Sequence, residues 1–272
     1  MSGRITVPAL QQMKRDGRKI VGVVAYDYQM AQIVDRAGVE IVSVGDSVGV
    51  TLWGHESELD VTLEEMLIAC RAVRRGVKRA LVSCDFPFTP MQEGTRAAVA
   101  AAKRLMEHGG ADMVKVDAAS ENLDVVRRMV AEGVPVWAQF GITPHTAAKY
   151  GGMDKATPEL AAEMSDQLAA EARLLEEAGA SLLDFTNSGP IAGAAAVAAV
   201  KIPVIGGLGG GPWLDGRVRA VPNAIGYFAA AIDDDVDRYA NVAKIAFEAL
   251  TAYSEDVRAG RQIRGGPPRP KQ

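Results

Sequence analysis

The sequence is poor in the residues that build covalent or soft-metal frameworks. Two cysteines among 272 residues, Cys70 and Cys84, make no disulfide scaffold. The three histidines, His55, His108 and His145, share no short ligand motif, so a zinc site is a poor fit. Positive charge is not in excess: the net charge is −4 and the pI near 5.5. That balance argues against nucleic acid or an anionic membrane as a partner. Long apolar runs are also missing. The opening Met1-Ser2-Gly3-Arg4-Ile5 leads into polar sequence without the apolar segment of a secretory signal. The longest apolar stretch, 190–200, is rich in Ala and Gly, too short to span a bilayer, and ended by Lys201 and Pro203. The glycine run from Gly206 to Gly211 lacks the Lys-Ser/Thr of a phosphate loop and comes too late for a dinucleotide fingerprint. The expectation is a cytoplasmic protein whose partners are small molecules or its own copies.

What is present is a globular chain, 48% apolar and 24% charged, with 28 Gly and 13 Pro to turn it. Its length suits two ordinary domains or one large α/β barrel. Short β-branched runs, Ile20 to Val24, Ile41 to Val44, Ala80 to Cys84, Met113 to Val116, Val134 to Gln139, Ser181 to Phe185 and Pro203 to Gly206, predict strands. Helical periodicity separates them over 28–37, 62–75, 93–108, 121–131, 157–178 and 189–200, with Thr62 and Glu65 spaced as a capping box. A weaker eighth strand near Val218 to Val221 and a helix from Asp235 to Tyr253 close the pattern. The alternation predicts an α/β fold, a (β/α)8 TIM barrel in a single domain over 1–259, opened by a short helix from Thr6 to Lys14. A doubly wound open sheet is the runner-up. Residues 260–272, with Gly265-Gly266-Pro267-Pro268, are expected to form a flexible basic tail.

Barrel enzymes place their chemistry where strands end. Those exits carry Asp46 and Ser47, Asp85, Lys115 with Asp117, Gln139, and Asp184 with Thr186. Taken singly, an Asp after a strand is most often a turn or helix-cap residue. As a set, Asp46, Asp85 and Asp117 with Ser47 offer the hard oxygen donors that suit Mg²⁺. Lys115 and Asp117 lie two residues apart and share a strand face. The lysine either balances charge or binds a substrate carboxylate, and only the wider pattern of the mouth favours the second. Cys84 points to the face opposite Asp85, and both thiols read as buried.

The segments Ala25-Tyr26-Asp27-Tyr28, Val44-Gly45-Asp46-Ser47-Val48-Gly49, Asp60-Val61-Thr62-Leu63-Glu64-Glu65-Met66, Asp85-Phe86-Pro87-Phe88, Gly141-Ile142-Thr143-Pro144 and Ile202-Pro203-Val204-Ile205-Gly206 resemble the ketopantoate hydroxymethyltransferase family, within the phosphoenolpyruvate mutase/isocitrate lyase superfamily. The resemblance runs from about Thr6 to Gly260. It implies a Mg²⁺-dependent barrel and a homo-oligomer. It also implies a 2-oxo acid substrate, 3-methyl-2-oxobutanoate, converted through a metal-bound enolate with methylenetetrahydrofolate as the one-carbon donor. By motif, Asp46 and Asp85 match metal-binding aspartates, and Ser47 and Lys115 match substrate-binding residues. Asp117 stands where the family has a glutamate. Two departures follow: Gln139 replaces a substrate-side histidine, and Thr186 falls at the place of the glutamate base.

Neither Gln nor Thr is a general base near neutral pH. Asp184, on the Thr186 face but about 6–7 Å deeper along the strand, is the substitute candidate. The alternative is a metal-assisted C–C lyase or decarboxylase, which needs no C3 base. A third reading, from another class, is a non-catalytic binding or assembly barrel.

Overall fold

Eight strands hydrogen-bond in sequential order and close on themselves as a barrel. They are β1 (Ile20–Val24), β2 (Ile41–Val44), β3 (Leu81–Asp85), β4 (Met113–Val116), β5 (Val136–Gly141), β6 (Leu182–Thr186), β7 (Val204–Gly206) and β8 (Gly216–Ala220). The computed structural model describes residues 3–208 and 210–265. Every resolved pairing is parallel, so each strand must be reached by a crossover. The crossovers are α2 (Tyr28–Arg36), α3 (Leu63–Gly76), α4 (Phe88–Gln92) with α5 (Thr95–Glu107), α6 (Leu123–Ala131), α7 (Pro158–Glu163) with α8 (Ser165–Glu177), and α9 (Pro190–Ala199), while α1 (Val7–Arg15) precedes β1. Strands covered on both faces read as continuous apolar runs, and β2 and β3 are buried at every position.

The barrel interior is layered by strand alternation. Its floor is one apolar cluster: Ile20, Ile41, Leu81, Met113, Trp137, Leu182, Ile205 and Val218, one residue from each strand, with Leu10 and Met13 of α1. Two residues further along, the same face carries Ser43, Ser83, Lys115, Gln139 and Asp184. Another two bring Asp85, Asp117, Gly141 and Thr186 to the C-terminal rim.

The predicted barrel is therefore the observed one, including the weak eighth strand, and the open sheet is excluded. The capping box at the start of α3 is formed: Glu65 N–H donates to Thr62 Oγ1, and the Glu65 carboxylate accepts from Thr62 N–H. Local differences have physical reasons. The helix expected over 93–108 is α5, and it is preceded by the short α4, which the periodicity did not predict, with Gly94 at φ 95° separating the two. The helix expected over 157–178 is interrupted at Met164. A π-helical turn at Gly49–Trp53, after β2, has no counterpart in the periodicity.

The chain divides into two compact units, Met1–Arg219 and Ala220–Gln272. The second holds α10 (Val221–Ile225) and α11 (Val242–Arg258). The final helix begins at Val242 rather than Asp235, since Asn241 caps it by accepting from Lys244 N–H while its amide donates to Ala231 O at 2.6 Å. Most of the expected basic tail, 266–272, lies outside the described residues. Among the described residues no helix is long and apolar enough to cross a membrane.

Candidate active site

The β2 exit turns immediately. A Cβ on Gly45 would meet Ser47 Oγ and Val24 Cγ1, each at 2.8 Å, so glycine is what lets the turn fold onto β1. Ser47 Oγ is consequently 2.9 Å from Tyr26 Oη. Asp46 lies past the end of β2, where strand alternation no longer binds, and its side chain stays one-fifth exposed at the rim. Burial, and next the nearby Asp85 carboxylate, pushes its pKa up to about 8.

Lys115 is the centre of the polar layer. Its ammonium lies 3.3 Å from Asp85 Oδ2 and 3.2 Å from Asp184 Oδ2, with all three side chains nearly inaccessible. The Nζ also stands 5.7 Å from the centroid of Trp137, the largest residue of the floor. Burial alone would favour the neutral amine, but Asp85, Asp184, Asp46 and Asp117 hold the pKa of Lys115 above its ordinary value. The carboxylates pay for this crowding: burial raises Asp85 despite its bonds to Lys115 and to Ser43 Oγ at 3.2 Å. Burial also raises Asp184, which accepts from Lys115 and from Gly207 N–H at 3.1 Å.

Asp117 is differently engaged. One oxygen accepts from the next residue's own N–H, Ala118, which adopts φ 49°; the other accepts from His145 N–H at 3.4 Å. Gln139 and Thr186 pair with each other, Gln139 Nε2 donating to Thr186 Oγ1 at 3.0 Å in full burial. The structure thus brings Asp46, Asp85, Lys115 and Asp117 into one electrostatic cluster, sets Asp184 beneath Lys115, and ties Thr186 to Gln139.

His145 was not distinguished by spacing, yet its ring enters this cluster. Nε2 lies 3.8 Å from Asp117 Oδ2 and 4.0 Å from Asp46 Oδ2, and the side chain is 7% exposed. The available signal was position: His145 directly follows the Gly141-Ile142-Thr143-Pro144 motif at the β5 exit. That loop can fold back because Gly141 takes φ 89° and a Cβ there would meet Thr186 O at 3.0 Å.

The donor set suits a hard divalent cation. Four acidic side chains act on one buried ammonium, and the donors are oxygens. Among the described residues no three Asp, Glu, His or Cys side chains converge closely enough by themselves to hold an ion. Mg²⁺ does not require that, since it commonly uses one or two carboxylates and completes its shell with water and substrate oxygens.

Fold and mouth together define a (β/α)8-barrel enzyme. The family model for ketopantoate hydroxymethyltransferase matches residues 4–262, and the chain belongs to that family. It is 37% identical over 258 residues to 3-methyl-2-oxobutanoate hydroxymethyltransferase of Moorella thermoacetica, covering 95% of each chain. It is 38% identical over 259 residues to the enzyme of that name from Alkalilimnicola ehrlichii, covering 94% of this chain and 91% of the relative. Among solved structures it shares its fold with phosphonopyruvate hydrolase in complex with oxalate and Mg²⁺, at TM-score 0.62 and 13% identity over 94% of this chain and 88% of that one. It shares it too with 2,3-dimethylmalate lyase, a PEP mutase/isocitrate lyase superfamily member, at TM-score 0.59 and 12% identity over 93% of this chain and 87% of that one.

Proposed function

We propose that this enzyme binds a 2-oxo acid together with Mg²⁺ at the barrel mouth and transfers a hydroxymethyl group to it, with 3-methyl-2-oxobutanoate as acceptor and methylenetetrahydrofolate as donor. The observation that carries the reading is the gathering of acidic groups at the mouth: Asp46, Asp85, Asp117 and Asp184 all act on one buried ammonium, Lys115, which lies 3.3 Å from Asp85 and 3.2 Å from Asp184. When bound, the cation supplies stabilisation of the negative charge that develops on the 2-oxo acid oxygen, a contribution of several kcal/mol.

In this reading Asp46 and Asp85 hold the cation, and Asp117 supports it from the rim through water. Ser47, oriented by Tyr26, donates to the substrate, and Lys115 counters its carboxylate. Gln139 offers its amide to the substrate while its present bond ties it to Thr186. Thr186, accepting from Gln139, keeps a hydroxyl proton to give. Asp184 is the carboxylate left to accept the C3 proton, and the Lys115 ammonium beside it at 3.2 Å restrains its basicity. A homo-oligomer belongs to the same proposal: α11 leaves Ile245, Phe247, Leu250, Tyr253 and Val257 exposed, an apolar set of the kind that association covers.

A specific observation favours a second reading. The neutral Gln139–Thr186 pair occupies the rim where a base would stand, so a reaction that forms the enolate by breaking a C–C bond fits the residues better. In decarboxylation of a 3-carboxy-2-oxo acid, the C3–carboxyl bond breaks, its electron pair moves to C3 and the 2-oxo oxygen, and CO₂ departs. A proton from solvent then completes the product. No observation favours the non-catalytic reading.

The deciding experiment incubates the enzyme with Mg²⁺ and 3-methyl-2-oxobutanoate in D₂O and follows the C3 proton by NMR, with and without methylenetetrahydrofolate. Transfer predicts exchange and product formation, about 10² to 10⁴ slower than with a well-placed base, and loss of both in Asp184→Asn. CO₂ release from 3-carboxy-2-oxo acids without C3 exchange would select the lyase; no turnover in either assay would overturn both.

A further inference from the structure

Among the described residues, three buried side-chain polar atoms lack a hydrogen-bond partner: Ser83 Oγ, Trp137 Nε1 and His145 Nε2. Buried polar atoms in native proteins are rarely left so. The first two face the barrel interior. The third faces carboxylates.

His145 is held with its nitrogen aimed at them. Its ring meets Phe88 edge to face, with centroids 5.2 Å apart and planes at 84°. Its N–H is tied to Asp117 Oδ2. The flanking Thr143 and Thr146 brace the loop: Thr143 N–H donates to Thr146 Oγ1 at 2.9 Å, and Thr146 Oγ1 lies 3.1 Å from Gly141 O. The resulting gaps from Nε2, 3.8 Å to Asp117 and 4.0 Å to Asp46, are too long for hydrogen bonds. Each is about twice a metal–ligand bond of about 2.0–2.2 Å.

We propose that His145 Nε2 is a ligand of the cation held by Asp46, so that the site is a mixed nitrogen–oxygen site rather than the all-oxygen site read from the sequence. The inference rests on the reading that the mouth binds a divalent cation. Imidazole suits Fe²⁺, Ni²⁺, Cu²⁺ and Zn²⁺, whereas Mg²⁺ keeps to oxygen. His145 therefore shifts the preference of this mouth toward the later divalent ions, with Co²⁺ ahead of Mg²⁺. His55 does not compete for the role, because its Nε2 is 2.9 Å from Glu65 Oε1.

The test uses the full chain and the metals alone. Pulsed EPR of the Mn²⁺-loaded wild type looks for a ¹⁴N coupling from a directly bound imidazole, and calorimetry gives the Co²⁺ and Mg²⁺ affinities of wild type and His145→Gln. The expected result is a nitrogen coupling that disappears in His145→Gln. With it the Co²⁺/Mg²⁺ affinity ratio falls at least about tenfold, the factor that about 1.4 kcal/mol carries. Mn²⁺ bound without nitrogen coupling, and a ratio unchanged by the substitution, would overturn the assignment of His145 while leaving the cation reading standing. Absence of any divalent cation binding to the wild type would overturn both. The wild-type spectrum decides the matter even if His145→Gln folds poorly.

Discussion

The floor and the mouth of this barrel are made by the same strands a few residues apart, and they obey opposite rules. At the floor, one apolar side chain from each strand joins Leu10 and Met13 in a cluster that excludes water, and every contact there favours the folded state. At the mouth the same alternation delivers Asp85, Lys115, Asp117 and Asp184, and burial there raises the pKa of Asp85 and Asp184. The floor carries the apolar packing, while the mouth crowds buried acidic groups, a crowding that the cation of the proposed function would relieve. Strained and charged groups gather where function is built.

The largest test of that contrast is Lys115→Met. It leaves Asp85 and Asp184 buried without their ammonium, and a loss of about 3–5 kcal/mol is expected in urea unfolding at pH 8. The loss is expected to shrink as pH falls, because burial raises the pKa of both carboxylates and protonation removes their unpaired charge. A penalty that ignores pH would show that Lys115 acts by packing on Trp137 instead. Leu182→Ala, at the floor, is expected to cost about 2–5 kcal/mol with little dependence on pH and with cation affinity unchanged. A large drop in cation affinity there would mean that floor and mouth are not separable.

A smaller effect follows from the raised carboxylates themselves. The folded state holds Asp46 protonated up to about pH 8, whereas the unfolded chain releases that proton near 3.8. The folded state therefore binds more protons across this window, and stability falls as pH rises through it. The slope is at most about 1.4 kcal/mol per pH unit for each proton. Urea midpoints at pH 5, 6, 7 and 8 read it directly, and Mg²⁺ is expected to flatten the curve by favouring the charged carboxylates. Stability that climbs over this range would contradict the sign.

Most of the fold was legible because parallel strands buried on both faces leave short β-branched runs, and Ile41-Val42-Ser43-Val44 is such a run. Asp46 and Asp85 were legible as acidic groups because each ends an apolar run abruptly. Parity placed Lys115 and Asp117 on one face, but not the clasp of Lys115 between Asp85 and Asp184, which needs the closed barrel to bring β3 and β6 to one lysine. Nor did parity reveal that Gln139 and Thr186 satisfy each other across β5 and β6. His145 was hidden for a similar reason: it lies in a loop, and its neighbours Asp46 and Asp117 come from other strand exits.

On the proposed function the mouth needs a cation to hold its 2-oxo acid. Calorimetric titration of the enzyme with 3-methyl-2-oxobutanoate, in Mg²⁺ and then in excess EDTA, tests it without requiring turnover. Binding in Mg²⁺ that vanishes in EDTA is the expected result; equal affinity in both would contradict the account.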